Sequence, residues 1–253
     1  MKTLAIIALV CFLLIETTAM ADIKDGLILY FPLDDGKGTT VKDYSGKGRD
    51  GKIMDDNKVE WADGQKGFGK AFNFSGKGFG DQPKDQRTGR IEVQHDLGSP
   101  KALSVSLWFF ATRDNDWNYF MDYRDPGSWF ARDSGNKIQF NGQGGVESGQ
   151  YPRNQWVHLV VLADSSSTKY YINGKLTGSQ GGASNLNIGT KLHIGSRYSK
   201  NEAFLSILDD VAMWERIITE SEIEQANQKP IISTTAVYPT GKLSTTWAEI
   251  KSE

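Results

Sequence analysis

The chain has 253 residues, with 29 Lys and Arg against 31 Asp and Glu, a net charge of −2, and 27 glycines against 7 prolines. So even a balance argues against a polyelectrolyte surface for nucleic acid or anionic membrane. The one cysteine, Cys11, lies within the first 21 residues, and the remainder can form no disulfide, zinc-thiolate site or cysteine nucleophile.

Residues 1–21 read as an export signal. Lys2 supplies a positive start, Leu4 to Ile15 a mostly apolar stretch, and Ala19-Met20-Ala21 a small-x-small cleavage site, making Asp22 the expected mature N-terminus. The apolar stretch is shorter than the ~20 residues of a membrane span, Glu16 closes it, and no other segment is long and apolar enough to cross. Ala8-Leu9-Val10 lack the small residue that a lipoprotein signal places before its cysteine. The expected location is secreted or extracytoplasmic.

From Asp22 onward, short alternating runs recur between clusters of Gly, Asn, Asp and Ser, the pattern of a many-stranded antiparallel sandwich. The expected strands are Gly26–Pro32, Lys70–Phe74, Gly89–Val93, Leu103–Ala111, Tyr119–Tyr123, Trp129–Arg132, Asn136–Phe140, Gln155–Ala163, Thr168–Ile172, Lys191–Gly195 and Leu205–Trp214. In Trp156 to Leu176 both faces of the first strand are apolar, so both are covered. Asp164 to Ser167 and then Asn173-Gly174 turn the chain twice into a tight meander. Ten or more strands exceed one open sheet and imply two packed ones.

One helical turn is expected at residues 219–224, where Thr219 can cap the first amides and Glu222 stands three residues on. The expected organisation is a leader at 1–21, one all-β domain at 22–228 and a short C-terminal tail at 229–253. Leu243, Trp247 and Ile250 recur in that tail at helical spacing, which suits either a helix docking on a protein partner or a partly ordered end.

Seven segments, in order, carry a family resemblance: LILYFPLDDGKGTTVKDYSGKGRDGKI at 27–53, FGKAFNFSG at 68–76, LSVSLWFFA at 103–111, WVHLVVL at 156–162, YYINGKL at 170–176, LHIGS at 192–196 and ILDDVAMWERIITESEI at 207–223. Over roughly Gly26 to Ala226 the chain resembles LamG-like jelly-roll domains of the concanavalin A-like lectin/glucanase superfamily. The resemblance implies a two-sheet antiparallel jelly-roll sandwich, usually non-catalytic and often binding carbohydrate or another surface outside the cell. Family members commonly place a calcium within motifs that here contain Asp34, Asp35, Asp43, Asp209 and Asp210, and Asp34, Asp43, Asp209 and Asp210 are the expected metal ligands. Ca²⁺ takes six to eight oxygens from carboxylates and loop carbonyls. A structural ion would tie the N-terminal loop to the last strand; otherwise Asp34 and Asp43 cap turns and the last-strand acid accepts backbone amides.

Residues 113–132 are denser in aromatic and charged side chains than a sandwich core requires. Aromatic faces stack on pyranose rings while polar groups take their hydroxyls, and Trp117, Tyr119, Tyr123, Arg124, Trp129 and Arg132 are the expected ligand-binding residues. The alternative is that some of them fill the core. Trp108 and Trp156 sit in alternating apolar runs and read as core. His158 reads as a structural histidine, because no Gly-x-Ser-x-Gly elbow occurs and neither His95 nor His193 has metal-ligand spacing.

A retaining-glucanase pattern of alternating acids is absent from Ile207 to Glu215, and no enzyme is expected. The sequon at Asn73 falls in an expected strand, and the glycine-rich runs at 142–149 and 178–183 do not open helices, so neither cradles phosphate. The sequence thus reads as an exported, non-catalytic module recognising carbohydrate or a glycosylated surface, with a structural calcium. A structural or adhesive module of an extracellular or cell-envelope assembly is the alternative, and a glycoside hydrolase the more distant one.

Overall fold

The computed structural model describes residues 22–54, 59–74, 89–111, 118–123, 128–132, 136–140, 148–183, 186–196 and 206–233. Residues 1–21, Trp117, Arg124 and the stretch from Leu243 to Ile250 all lie outside them. Fifteen strands run in chain order: β1 (Leu27–Phe31), β2 (Thr40–Val41), β3 (Gly51–Met54), β4 (Glu60–Asp63), β5 (Lys70–Asn73), β6 (Arg90–Val93), β7 (Ala102–Ala111), β8 (Asn118–Tyr123), β9 (Ser128–Arg132), β10 (Ile138–Phe140), β11 (Trp156–Asp164), β12 (Ser167–Ile172), β13 (Lys175–Gly181), β14 (Leu192–Ile194) and β15 (Ser206–Trp214). Among the described residues one helix, α1 (Glu220–Gln228), follows them. None of this is a helix long and apolar enough to cross a membrane.

Two antiparallel sheets face each other as a jelly-roll sandwich. An eight-stranded sheet runs β13-β12-β11-β7-β15-β5-β4, with β1 also paired to β15, and a seven-stranded sheet runs β10-β9-β8-β14-β6-β3-β2. The expected class is the one observed. Strand alternation builds the core: Leu107, Phe109, Leu159, Val161, Leu208 and Met213 from the first sheet meet Ile53, Ile91, Val93, Met121, Tyr123 and Ile194 from the second.

The outer face of the eight-stranded sheet is covered in part by α1. Ile218, Ile223 and Ala226 pack on Tyr30, Val160, Leu162, Ala212 and Trp214, and Ile231, beyond the helix, is buried in the same cluster. The capping box forms as expected: the Thr219 side chain accepts from Glu222 N, and Thr219 N donates to the Glu222 carboxylate at 2.7 Å. Arg216 adds a clamp, donating to Glu222 and to the backbone carbonyls of Asp22 and Asp25, while Trp214 Nε1 donates to Ile23 O at 2.6 Å.

Candidate functional site

Three strands of the seven-stranded sheet each place one polar side chain between two core residues: Glu92 between Ile91 and Val93, Asp122 between Met121 and Tyr123, and His193 between Leu192 and Ile194. Period two sends all three to the face away from the core. The register aligns them in one row, with Lys52 opposite Glu92, Glu92 opposite His193, His193 opposite Asp122 and Asp122 opposite Trp129. Glu92, Asp122 and His193 are only 6%, 4% and 3% exposed, and charged groups are buried at such depth only when paired.

Glu92 is the hub of this row. Its carboxylate accepts from Arg90 Nη2 at 3.3 Å and His193 Nε2 at 3.2 Å, lies 3.4 Å from Lys191 Nζ, and accepts from the Gln94 amide. Burial alone would raise its pKa, but the Gln94 and Arg90 hydrogen bonds and the charges of Lys191 and His193 prevail and hold it at about 2. For His193, burial and the neighbouring Arg90 charge lower the pKa despite Glu92. The neutral imidazole therefore carries its proton on Nε2, where Glu92 accepts it, and Nδ1 is a bare acceptor. That buried Nδ1 has no hydrogen-bond partner.

The expected ligand-binding residues divide on the structure. Trp129 and Arg132 lie on β9, Trp129 opposite Asp122 in the polar row and Arg132 opposite Asn118 and Ile138. Tyr119 and Tyr123 are corrected: they are 5% and 1% exposed and offer no ring face to solvent. Tyr123 packs in the core with its hydroxyl 3.9 Å from Met121 Sδ, because it lies on the inward face of β8 and Asp122 takes the outward position. Arg90, Glu92, Asp122, Lys191 and His193 were missed by sequence reasoning. Each alternates with apolar neighbours like any solvent-facing residue, and only the non-local register brings them together.

The expected metal ligands also divide. Asp43 stands within its own turn, where its oxygens accept from Tyr30 N, Ser45 N, Ser45 Oγ and Arg49 N at 2.8–3.1 Å. That fills the carboxylate as a turn cap. Asp209 and Asp210 sit on a bulge in β15, where pairing with β7 shifts between Asp209 and Ala212 and Asp210 has a φ of 53°. Leu208 and Val211 both enter the core, so the bulge breaks strict alternation and turns the two acids outward together.

Asp209 Oδ2 accepts from Gln65 N at 2.9 Å, and Asp210 Oδ1 accepts from the Tyr30 hydroxyl. Asp209 Oδ1 and Asp210 Oδ2 are buried with no hydrogen-bond partner. Burial, reinforced by the Asp210 charge, pushes Asp209 up to about 9, and burial with the Asp34 charge pushes Asp210 up to about 8. Asp34, which accepts from Lys70 N at 2.7 Å, lies near both acids. Glycines make room for these side chains: a Cβ at Gly64 would strike Asp209 Oδ2 and lie 2.9 Å from the carbonyl oxygens of Gly69 and Lys70, and one at Gly69 (φ 98°) would strike Asp34 Oδ1.

Two unpartnered carboxylate oxygens, with the Gly69 and Lys70 carbonyls on the side of Asp209 Oδ2, are oxygen donors of the kind that a hard cation takes. Among the described residues no three acidic, imidazole or thiolate side chains stand close enough to hold a metal by themselves, so an ion here would draw on those carbonyls.

His158 is buried on the outer face of the eight-stranded sheet, its Nε2 2.9 Å from Ser106 Oγ and its ring 5.1 Å from that of Trp108. Burial pushes its pKa down to about 3. Both members of this Ser-His pair are 2% exposed or less, which closes the serine to any substrate. A separate cavity of about 220 Å³, lined by Thr39, Ile53, Val59, Glu60, Trp61 and Phe72 among others, contains none of the expected site residues.

Several known proteins share this architecture. Domain 4 of AbnA, a GH43 extracellular arabinanase from Geobacillus stearothermophilus solved in complex with arabinotriose, is 21% identical, with 80% of this chain and 98% of that domain covered and a TM-score of 0.62. A structure of botulinum neurotoxin type C, whose cell entry is dependent upon interaction with two ganglioside molecules, is 16% identical over 84% of this chain and 53% of its own, with a TM-score of 0.59. A mutant Trypanosoma rangeli sialidase displaying trans-sialidase activity is 13% identical over 79% of this chain and 32% of its own, with a TM-score of 0.56. The chain thus spans about half of the toxin chain and a third of the sialidase, and at these identities the likeness is one of fold. No curated protein sequence matches the chain. A laminin G-type family model described as Concanavalin A-like lectin/glucanases superfamily matches residues 85–224, more than half of the chain, and the chain belongs to that superfamily.

Proposed function

We propose that the chain is an exported, non-catalytic carbohydrate-binding module whose ligand lies across the outer face of the seven-stranded sheet. One observation carries the reading: the registered row of Glu92, His193 and Asp122, buried and polar on an outward face, with Trp129 at its next position. Oriented polar groups beside an aromatic residue are what sugar recognition requires. The arabinotriose and ganglioside ligands of the structural neighbours support it, and the features of residues 1–21 support export.

The same row offers no general acid at Glu92. Glu92 and Asp122 lie two strand steps apart, about 10 Å at sheet spacing, close to the separation of an inverting glycosidase pair. A general acid must hold a proton near neutral pH, and Glu92, held at about 2, does not.

Calcium is the proposed cofactor, with Asp209 and Asp210 as its acidic ligands; Asp34 does not stand with them as a third, and Asp43 is left to its turn. The orphaned oxygens of the β15 bulge support it. Bound there, the ion would neutralise the buried acids and join the loop around Gly64 to β15. The test is a melting series of the exported chain in calcium, in chelator and with a neutral glycan panel. Ligands of the native state raise the melting temperature by mass action. Calcium should do so in wild type and not in the Asp209→Asn, Asp210→Asn double variant. A chain indifferent to every glycan would leave only a structural or adhesive module.

A further inference from the structure

Tyr30 is a phenol in a place that packing alone would give to phenylalanine. It is 0% exposed, set among Leu27, Val160, Leu162, Ala212 and Trp214 in the cluster beneath α1, and a buried phenol needs a partner for its hydroxyl. On β1 it lies opposite Ala212 and between the core residues Leu29 and Phe31. Period two therefore sends it to the outer face of the sheet, where the β15 bulge turns Asp210. Its hydroxyl donates to Asp210 Oδ1, and the other acceptor within reach is Ile232 O at 3.5 Å.

The two acids of the bulge are held alike. Gln65 N donates to Oδ2 of Asp209 and the Tyr30 hydroxyl to Oδ1 of Asp210, while on each the second oxygen is buried with no hydrogen-bond partner. For Asp209 the donor is backbone; for Asp210 it is a side chain, acting on a residue whose φ of 53° is uncommon outside glycine. We propose, on the calcium reading of the acid pair, that Tyr30 is a positioning residue for the cation: its hydroxyl fixes Asp210 through one oxygen and leaves the other presented beside Asp209. Outer-shell donors that orient a ligating carboxylate carry about ten- to a hundredfold in metal affinity. Without the phenol, the Asp210 carboxylate turns about its own bonds, and binding must first order it. A phenol that merely filled space would stabilise the fold equally with and without the ion.

The experiment is isothermal titration of the full chain, purified after export and stripped with chelator, with calcium as the probe. Wild type, Tyr30→Phe and Tyr44→Phe are compared, each with melting curves in calcium and in chelator; Tyr44 packs against the same cluster and serves as the control for loss of a phenol hydroxyl. Tyr30→Phe should weaken calcium binding about tenfold or more, and its melting temperature should fall further behind wild type in calcium than in chelator. Tyr44→Phe should keep the wild-type affinity. Undiminished calcium affinity in a folded Tyr30→Phe, or an equal loss of melting temperature in the two conditions, would overturn this proposal and leave the calcium reading standing. A wild-type chain that takes up no calcium fails both.

Should Tyr30→Phe not fold, the Cζ resonance of wild-type Tyr30 decides, because that carbon carries the hydroxyl and reports its hydrogen bond. It should move as calcium saturates the acid pair, while the Cζ resonance of Tyr170, whose hydroxyl accepts from Phe140 N in the inner core, stays in place. A stationary Tyr30 resonance at saturation overturns the proposal.

Discussion

Glu92 and the Asp209–Asp210 pair are buried acids with opposite responses to pH. The folded-state pKa of Glu92 lies below its ordinary 4.5, at about 2, so its ionised form stabilises the fold above about pH 4.5 and that contribution is lost as pH falls toward 2. Glu92→Gln should cost about 3 kcal/mol at pH 7, the scale of breaking a buried pair, and the gap from wild type should narrow in denaturant titrations at pH 2–3. Asp209 and Asp210 are shifted the other way, to about 9 and 8 from 3.8. Without metal, their contribution is full below about 3.8 and drains away as pH rises through those values. In chelator the melting temperature should therefore fall between pH 5 and 8.5, less so in calcium, and the double asparagine variant should lose this dependence; a trend unchanged in that variant would place its origin elsewhere. The acids at 209 and 210 were legible in the sequence because ionisable residues interrupt an apolar strand. Their joint outward turn was not, since period two cannot anticipate a bulge.

Among the elements, the eleven expected strands all appear, and their ends move by at most a few residues. Each carries an alternating or continuous apolar run long enough to read on its own. The additional strands lack that signal: β2 has two residues, β3 opens on a glycine, β4 reads EWAD, and β13, reading KLTGSQG at a sheet edge, is largely exposed. They are strands because a neighbour supplies the hydrogen bonds, a tertiary cause that local propensity does not contain. The helix was legible at its start through Thr219 and Glu222, while its extension to Gln228 depends on Ile223 and Ala226 packing against the sheet. Thr219→Ala should cost about 1 kcal/mol in urea unfolding. Glu222→Gln should cost more than that cap, because Arg216, which also holds the carbonyls of Asp22 and Asp25, would lose its charged partner. Equal costs would mean that the clamp adds nothing to the cap.

For the whole molecule, sequence order and spatial order part company. The two-sheet class was readable from strand number and from the family segments, but the polar row was not, because Lys52, Glu92, Asp122, Trp129 and His193 span five strands of non-consecutive pairing. A chain cut after Ser233 should melt close to full length, whereas one cut after Gln228 should melt lower, because it loses the buried Ile231; identical melting of the two would make that contact dispensable. The last of the described strands, β15, lies inside its sheet, joined to β7, β5 and β1. A polypeptide emerging from its N-terminus would thus carry β1 without a partner, and the β4–β5 pair without its neighbour, until β15 had appeared. Pairings so distant in sequence are slow to close. Vectorial delivery across a membrane would find the chain still open, and closure would come as a single late event, when the final strand slides into the middle of the sheet and supplies the partner that β1 lacks.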